Sequence, residues 1–260
     1  MNALRKEERG CIAPLYAGWE ETCIWSYLQG QMGSGWADDA ACPRSARIDT
    51  GDFSFLAGEP EAGLTFLPPG CSDPRIFVPD TERWGPLLKA CHPGRCKRTY
   101  RYAVRKEDCF DRERLRRFSR LLPEGYRLAP IEGRLYEVAM ENPWSRDFCA
   151  HFDGREDYAR RGLGVAVLRG EELVGGASSY TVYDGGIEIE ISVRKDCRRQ
   201  GLALASAAQL ILRCLERGLY PSWDAAHSGS LQLAQKLGYR LDRRYPAYFV
   251  FPEKPDRLPR

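Results

Sequence analysis

The sequence predicts a mixed α/β (α+β) protein in two parts, a smaller mixed lobe over residues 1–122 and a more regular domain over residues 123–260. Three observations carry this expectation. Extended runs at residues 164–169, 172–183 and 187–194 lead into a long helical stripe, followed by a short extended run, a second helix and a last extended stretch. Ahead of residue 123 the extended pieces are short, and Pro60, Pro68, Pro69, Pro74, Pro79 and Pro86 punctuate the chain. Between the two patterns stands the turn-forming triplet Pro123-Glu124-Gly125, the expected boundary.

In the first part, residues 34–38, 46–50 and 52–56 form a meander ending at Ala57-Gly58. Residues 75–78 read as a strand, 82–90 as a helix, and residues 99–104, which alternate with period two, as a strand. Asp111 is placed to cap a helix in which Leu115, Phe118, Leu121 and Leu122 recur at helical spacing, and Pro123 ends it. Arg112, Arg114, Arg116, Arg117 and Arg120 occupy its other faces; such a run can hold a polyanion, but a solvated face is the commoner outcome.

The second part begins with a strand at 126–131 and helical segments between 132 and 161, ahead of the three strands above. A helix over 204–217 follows, with Leu204, Ala208, Ile211 and Leu215 on one stripe and Gly218 as its C-terminal cap. A strand at 219–224, a helix at 230–237 and an extended stretch at 239–251 complete the chain, and no internal repeat recurs at a fixed period.

Composition bounds the class. The 260 residues carry 39 Lys and Arg against 36 Asp and Glu, with 43% hydrophobic residues, enough apolar surface for an ordinary core. No run approaches the roughly 18 apolar residues a membrane span needs. Charges stand at Arg5, Lys6, Glu7 and Glu8, where a signal peptide is apolar, so the expectation is a cytoplasmic protein with no membrane partner. The net charge of +3 speaks against a general nucleic-acid binder. Ten irregularly spaced cysteines read as reduced thiols. Cys91, His92 and Cys96 could ligate zinc if a fourth ligand such as Cys109 came close, but a turn with idle thiols is the commoner outcome and no metal is expected.

The informative stretch runs from Ile187 to Ala203. Alternation puts Ile187, Ile189, Ile191 and Val193 on one strand face, and Glu188, Glu190 and Ser192 on the other. The loop after the strand contains Gly201 and opens a long helix, so backbone N–H groups and the positive end of the helix dipole converge where a phosphate can bind. Arg198 and Arg199 add positive charge there.

Arg198, Gly201 and Ala203, set between an acidic strand and a helix and followed by Lys236-Leu237-Gly238-Tyr239, resemble the pyrophosphate loop and C-terminal order of the GNAT superfamily of N-acetyltransferases. The resemblance covers residues 125–250 and implies a GNAT fold, a central mixed, mostly antiparallel, splayed sheet flanked by helices. Gly51-Asp52-Phe53, residues 187–192 and Pro221-Ser222-Trp223-Asp224-Ala225-Ala226 further resemble the subfamily related to the zwittermicin-resistance acetyltransferase. The implied donor is acetyl-CoA. Its site would comprise Ser192, Val193, Arg198, Arg199, Gln200, Gly201, Leu202, Ala203, His227 and Ser230, with backbone N–H near Val193 polarising the acetyl carbonyl.

Two positions depart from the superfamily pattern: Ala234 stands where a tyrosine commonly protonates the leaving thiolate, and His227 where an asparagine commonly holds the pantetheine arm. The catalytic candidates are Glu190 as base, Glu188 as second base or as anchor for a cationic acceptor, and Tyr245 as replacement acid. Trp144, Asp147 and Tyr180 are the acceptor-contact candidates. The expected activity is direct acetyl transfer to a primary amine of a small molecule such as an amino-polyol or an antibiotic. Ala234 and His227 together keep open a cofactor-binding sensor or interaction module without turnover.

Overall fold

The computed structural model describes residues 2–68 and 70–253. In chain order its elements are β1 (Asn2–Ala3), a 3-10 segment (Lys6–Tyr16), α1 (Thr22–Leu28), β2 (Ser34–Ala37), β3 (Ser45–Thr50), β4 (Phe53–Gly58), β5 (Arg75–Pro79), α2 (Trp84–Cys91), β6 (Cys96–Val104) and α3 (Arg112–Ser119). There follow β7 (Tyr126–Pro130), α4 (Arg134–Glu141), a 3-10 turn (Arg146–Phe148), α5 (Arg155–Arg161), β8 (Gly164–Arg169), β9 (Glu172–Tyr183) and β10 (Gly186–Val193). The last are α6 (Leu202–Glu216), β11 (Tyr220–Ser222), β12 (Asp224–Ala225), α7 (Ser228–Leu237) and β13 (Leu241–Val250).

The chain groups into two units, one of residues up to Arg101 together with those from Arg244 onward, the other Tyr102–Arg243. Helix α3, ahead of the Pro123 turn, is part of the second unit, and the C-terminal half of β13 is part of the first.

In the first unit β1, β2, β3 and β4 pair antiparallel in that order, β5 joins β4 in parallel, and β13 lines up antiparallel beside β5. Leu56, Phe77, Trp84, Leu88, Tyr248 and Val250 form its core. A polar network lies inside it. The fully buried Arg47 gives both ends of its guanidinium to Asp49 at 2.6 and 2.7 Å, and also reaches the carbonyls of Leu64 and Phe66. Arg75 adds a second cation 3.4 Å from Asp49.

In the second unit the sheet order is β11-β10-β9-β8-β7, antiparallel except for the parallel β10–β11 pair. Helix α6 lies on this sheet and α3 lies on α6. Covered on both sides, α6 buries Leu202, Ala205, Ala207, Leu210 and Ile211, a broader face than the expected stripe. Leu204 and Leu215 of that stripe are only half-buried. Helix α3 is capped as expected, Asp111 accepting from the Arg114 N–H at 3.0 Å, but it ends at Ser119, so Leu121 leaves the helix and is 60% exposed.

The two units share a strand plan. An antiparallel trio (β2-β3-β4; β8-β9-β10) crosses to a parallel strand (β5; β11) and then to a helix (α2; α7). They differ at the crossover, which in the first unit holds the short 3-10 turn Ala62–Leu64 and in the second the 15-residue α6.

Candidate active site

The parallel β10–β11 pair lasts only three residues, Gly186–Glu188 against Tyr220–Ser222, while β10 continues to Val193. Beyond Glu188 the two strands part. Arg194 N–H donates to Val174 on β9, so by the antiparallel alternation Ser192 and Glu190 also turn their backbone groups to β9. Ile189, Ile191 and Val193 then direct their N–H and C=O groups to the other edge, into the opening. That edge binds groups that pair with backbone, as an amide-bearing arm does, and supplies an N–H for a carbonyl oxygen gaining charge. In the first unit no such opening exists, because β4 and β5 pair from Phe53–Ile76 to Leu56–Pro79 and Asp80 N–H continues the ladder to Leu56.

At the head of the opening the loop 194–201 turns into α6. Arg199 has φ 63°, the one positive φ outside glycine among the described residues, and Gly201 follows with φ 82°. A left-handed arginine costs about 1–2 kcal/mol and persists only where its surroundings demand it. Here the left-handed Arg199 and Gly201, on either side of Gln200, stand just ahead of the first α6 N–H groups that have no intrahelical acceptor. Around its two left-handed residues, Arg198 Nε donates to the Val193 carbonyl at 3.1 Å, and the Tyr126 hydroxyl to Gln200 Oε1 at 3.0 Å. Leu202 is buried against Val167, Val174 and Cys197, fixing the first turn of α6, and Ala203 is half-buried beside it.

Glu190 and Ser192 lie opposite Ser178 and Gly176 of β9. Ser178 Oγ donates to the Phe148 carbonyl at 2.6 Å and accepts from the Tyr158 hydroxyl at 2.8 Å, so this sheet face lies under the turn that carries Trp144 and Asp147. Trp144 meets Phe148 edge-on at 6.2 Å and is half-buried; Asp147 is exposed, 3.8 Å from Arg146. Glu190 is half-buried, whereas Glu188 is 8% exposed. Burial first, and then the Glu188 charge, raise the Tyr183 phenol pKa. Burial likewise dominates at Tyr220 and Tyr239, with Glu188 among the lesser causes, so these phenols stay protonated. Tyr180 is the extra residue where the β9–β10 register steps between Glu188 and Ile189, and its buried ring meets His151 edge-on at 4.2 Å.

On the other side of the opening, His227 caps α7: its Nδ1 accepts from Ser230 N–H at 3.2 Å, and Ser230 Oγ accepts from Trp223 Nε1 at 3.2 Å. With Nδ1 engaged, Nε2 carries the proton and remains a donor. Ala234 is fully buried, and Tyr239, which follows α7, gives its hydroxyl to the Pro221 carbonyl. Tyr245, 9% exposed, belongs to the first unit. His92, also of the first unit, is buried with Nε2 on the Thr65 carbonyl at 2.7 Å.

Three residues that shape this site were missed by sequence reasoning: Tyr126, Gly176 and Ser178. A signal existed for one. Gly175-Gly176 inside a strand marks a close approach, and a Cβ on Gly176 would sit 2.7 Å from the Val165 carbonyl and 3.2 Å from the Phe148 ring.

The description of the GNAT acetyltransferase family matches residues 13–248, nearly the whole chain. The chain belongs to this family. The match spans both units, so the first is part of the GNAT chain and not a separate fusion. A GCN5-related N-acetyltransferase-like protein of Streptococcus suis 89/1591 is similar at 42% identity and TM-score 0.90, covering 94% of this chain and 98% of its own. The uncharacterized N-acetyltransferase YdfB of Bacillus subtilis (strain 168) is 25% identical over 242 residues, 88% of this chain and 90% of its own. A tandem GNAT protein of the clavulanic acid biosynthesis pathway shares the fold, with 14% identity, TM-score 0.53, and coverage of 97% of this chain and 98% of its own. GNAT membership implies acetyl-CoA as co-substrate together with an acceptor. No helix among the described residues is long and apolar enough to cross a membrane.

Proposed function

We propose that this GNAT enzyme moves the acetyl group of acetyl-CoA directly to a primary amine of a small molecule, an amino-polyol or antibiotic-like acceptor, in the opening between β10 and β11. The observation that carries this reading is the left-handed Arg199–Gly201 loop at the head of β10 edge groups that β11 leaves unpaired. The pyrophosphate lies on the amides of Arg199–Ala203, the pantetheine arm along Ile189–Val193, and the acetyl oxygen at a β10 N–H. Glu190, on the face beneath the Phe148 turn, takes the amine proton directly or through water. Glu188 is reserved for attraction and orientation of a cationic acceptor. The amine nitrogen forms its bond to the acetyl carbon as the carbon–sulfur bond breaks, and the CoA thiolate leaves with a proton from water, since Ala234 has no hydroxyl and that of Tyr239 is engaged on Pro221.

We also read the chain as a member of the subgroup resembling the zwittermicin-resistance acetyltransferase, a reading supported by Gly51-Asp52-Phe53 at the β3–β4 turn and by Pro221–Ala226 across β11 and β12. Incubation with acetyl-CoA and a panel of amines, reading free thiol, tests the function. Thiol release with primary amines and none without an amine is expected. Tight acetyl-CoA binding without release for any amine would replace this reading by a cofactor sensor.

A further inference from the structure

The arginine run on α3 faces two ways, and one side adjoins a cavity. Arg116 and Arg120 line an open groove with Leu122, Leu128 of β7, and Gln209 and Glu216 of α6. Arg117 is not among its lining residues and at 100° per residue lies on another flank of the helix. Beside Arg120 the chain passes close to the cofactor loop. Leu122 packs in the cluster that contains Leu202, and the carbonyl of Leu121 lies 3.8 Å from where a Cβ of Gly201 would stand. Gln209 is then about 10 Å, and Glu216 about 21 Å, along α6 from Leu202, at 1.5 Å per residue.

The occupancy of the cations separates them. Arg116 is held by Glu113 at 2.6 Å, whereas Arg120, exposed at the end of α3, makes no ion pair among the described residues. Glu216 puts the one acidic group of the lining at the far end, so a phosphate is favoured at the Arg120 end, nearest the loop. Leu122 and Leu128 offer an apolar floor, and Gln209 an amide that can donate and accept.

We propose that this groove receives the 3′-phosphorylated adenosine end of the cofactor, the base on Leu122 and Leu128 and the 3′-phosphate on Arg120. The inference rests on the placement of the pyrophosphate at Gly201 and extends it: the α3 guanidinium selects CoA over its 3′-dephosphorylated form. A guanidinium suits this role because it stays charged and can grip a phosphate with two N–H groups.

Calorimetry with CoA and 3′-dephospho-CoA tests it on the full chain. The unmodified protein should bind CoA at least tenfold more tightly than 3′-dephospho-CoA. Arg120→Glu should abolish that preference while leaving 3′-dephospho-CoA affinity within about twofold. Arg117→Glu makes the same charge change on the other flank and should keep most of the preference. Equal affinity of the unmodified protein for both ligands, or a preference that survives Arg120→Glu, would overturn the groove assignment while leaving the loop site standing. Equal losses in both variants would also overturn it, in favour of a general field from the helix. Binding of neither ligand would instead sink the proposed function, and this inference with it.

Discussion

Glu190 stands directly opposite Ser178 on the β9–β10 ladder, and Ser178 is bonded to the Phe148 carbonyl at 2.6 Å. The carboxylate is therefore registered to the turn that carries Trp144 and Asp147 through one strand pair and one hydroxyl. The next pair along the same face is Ser192 with Gly176, and a Cβ on Gly176 would stand 3.2 Å from the Phe148 ring, so the approach of β9 to the turn depends on the missing side chain at Gly176.

Gly176→Ala should consequently push the Phe148 turn from the sheet. Its Cβ would stand 2.7 Å from the Val165 carbonyl of β8, which cannot swing aside, and 3.2 Å from the Phe148 ring, which must give way. A loss of about 1–3 kcal/mol is expected, as for overpacked cores, and urea midpoints will read it. Acceptor KM should rise more than acetyl-CoA KM, because the turn borders only the Glu190 face.

Gly201→Glu should weaken acetyl-CoA binding by at least tenfold in a folded protein, measured by calorimetry. The change places a side chain at φ 82° and a negative charge where phosphate is expected. Unchanged affinity would contradict the loop assignment.

Much of the second unit was legible in the sequence, and the reasons are local. Strands β8 and β9 have the expected bounds because Gly162 and Gly170 punctuate strong apolar runs, whereas α6 starts at Leu202, directly after Gly201 and two residues ahead of the expected 204. The splay was expected only through the family resemblance, since pairing ends at Glu188 for reasons of partner geometry that no single strand reveals. The shared strand plan was invisible as a repeat: its crossovers, a 3-10 turn against a 15-residue helix, destroy any constant period. Residues 6–28 carried no expectation, and the segment Lys6–Tyr16 contains Pro14 and a 3-10 pattern that the 3.6-residue period does not detect. In the sequence Arg199 shows only its charge, whereas its backbone conformation is the more specific feature.

In the first unit, Asp49→Ala should cost about 3–5 kcal/mol, since it strands the buried Arg47 without its carboxylate. Arg47 has no exposure, and burial already pulls its pKa down, with Asp49 opposing that trend. Replacing both residues by apolar ones should recover part of the loss. Denaturant melts of the single and double variants will show whether the pair is coupled.

Acid stability should depend on Asp157. Hydrogen bonds from Arg161, and then Arg160, hold its pKa down to about 2, against about 3.9 for an ordinary aspartate. A carboxylate depressed on folding contributes stability that is present above its unfolded pKa and is lost as pH falls through the folded value. Asp157→Asn should thus be less stable than the unmodified protein by a constant amount above about pH 5, with the gap closing between about pH 4 and pH 2. Thermal melts of both proteins across that range will test it, and a gap that persists at pH 2 would show that the aspartate acts through packing instead.

The last prediction concerns proton transfer. An ammonium cannot attack a thioester, so the acceptor must lose a proton before or during bond formation. Two carboxylates share the relevant strand face but differ in setting: Glu190 is half-buried under the Phe148 turn, while Glu188 is nearly covered, and its charge adds to the raised pKa of Tyr183. The half-open group is the one a substrate amine or a relay water can reach. Glu190→Gln should lower kcat by about 10²-fold or more, a common general-base contribution, with acetyl-CoA affinity little changed. Glu188→Gln should instead raise KM for a cationic acceptor more than it lowers kcat. Because Ala234 supplies no acid and the Tyr239 hydroxyl is engaged on Pro221, the alkaline limb of the kcat profile should not follow a tyrosine. Steady-state rates from pH 6 to 9 decide between these roles: a Glu190→Gln enzyme with near-normal kcat throughout would remove the base assignment and leave deprotonation to water.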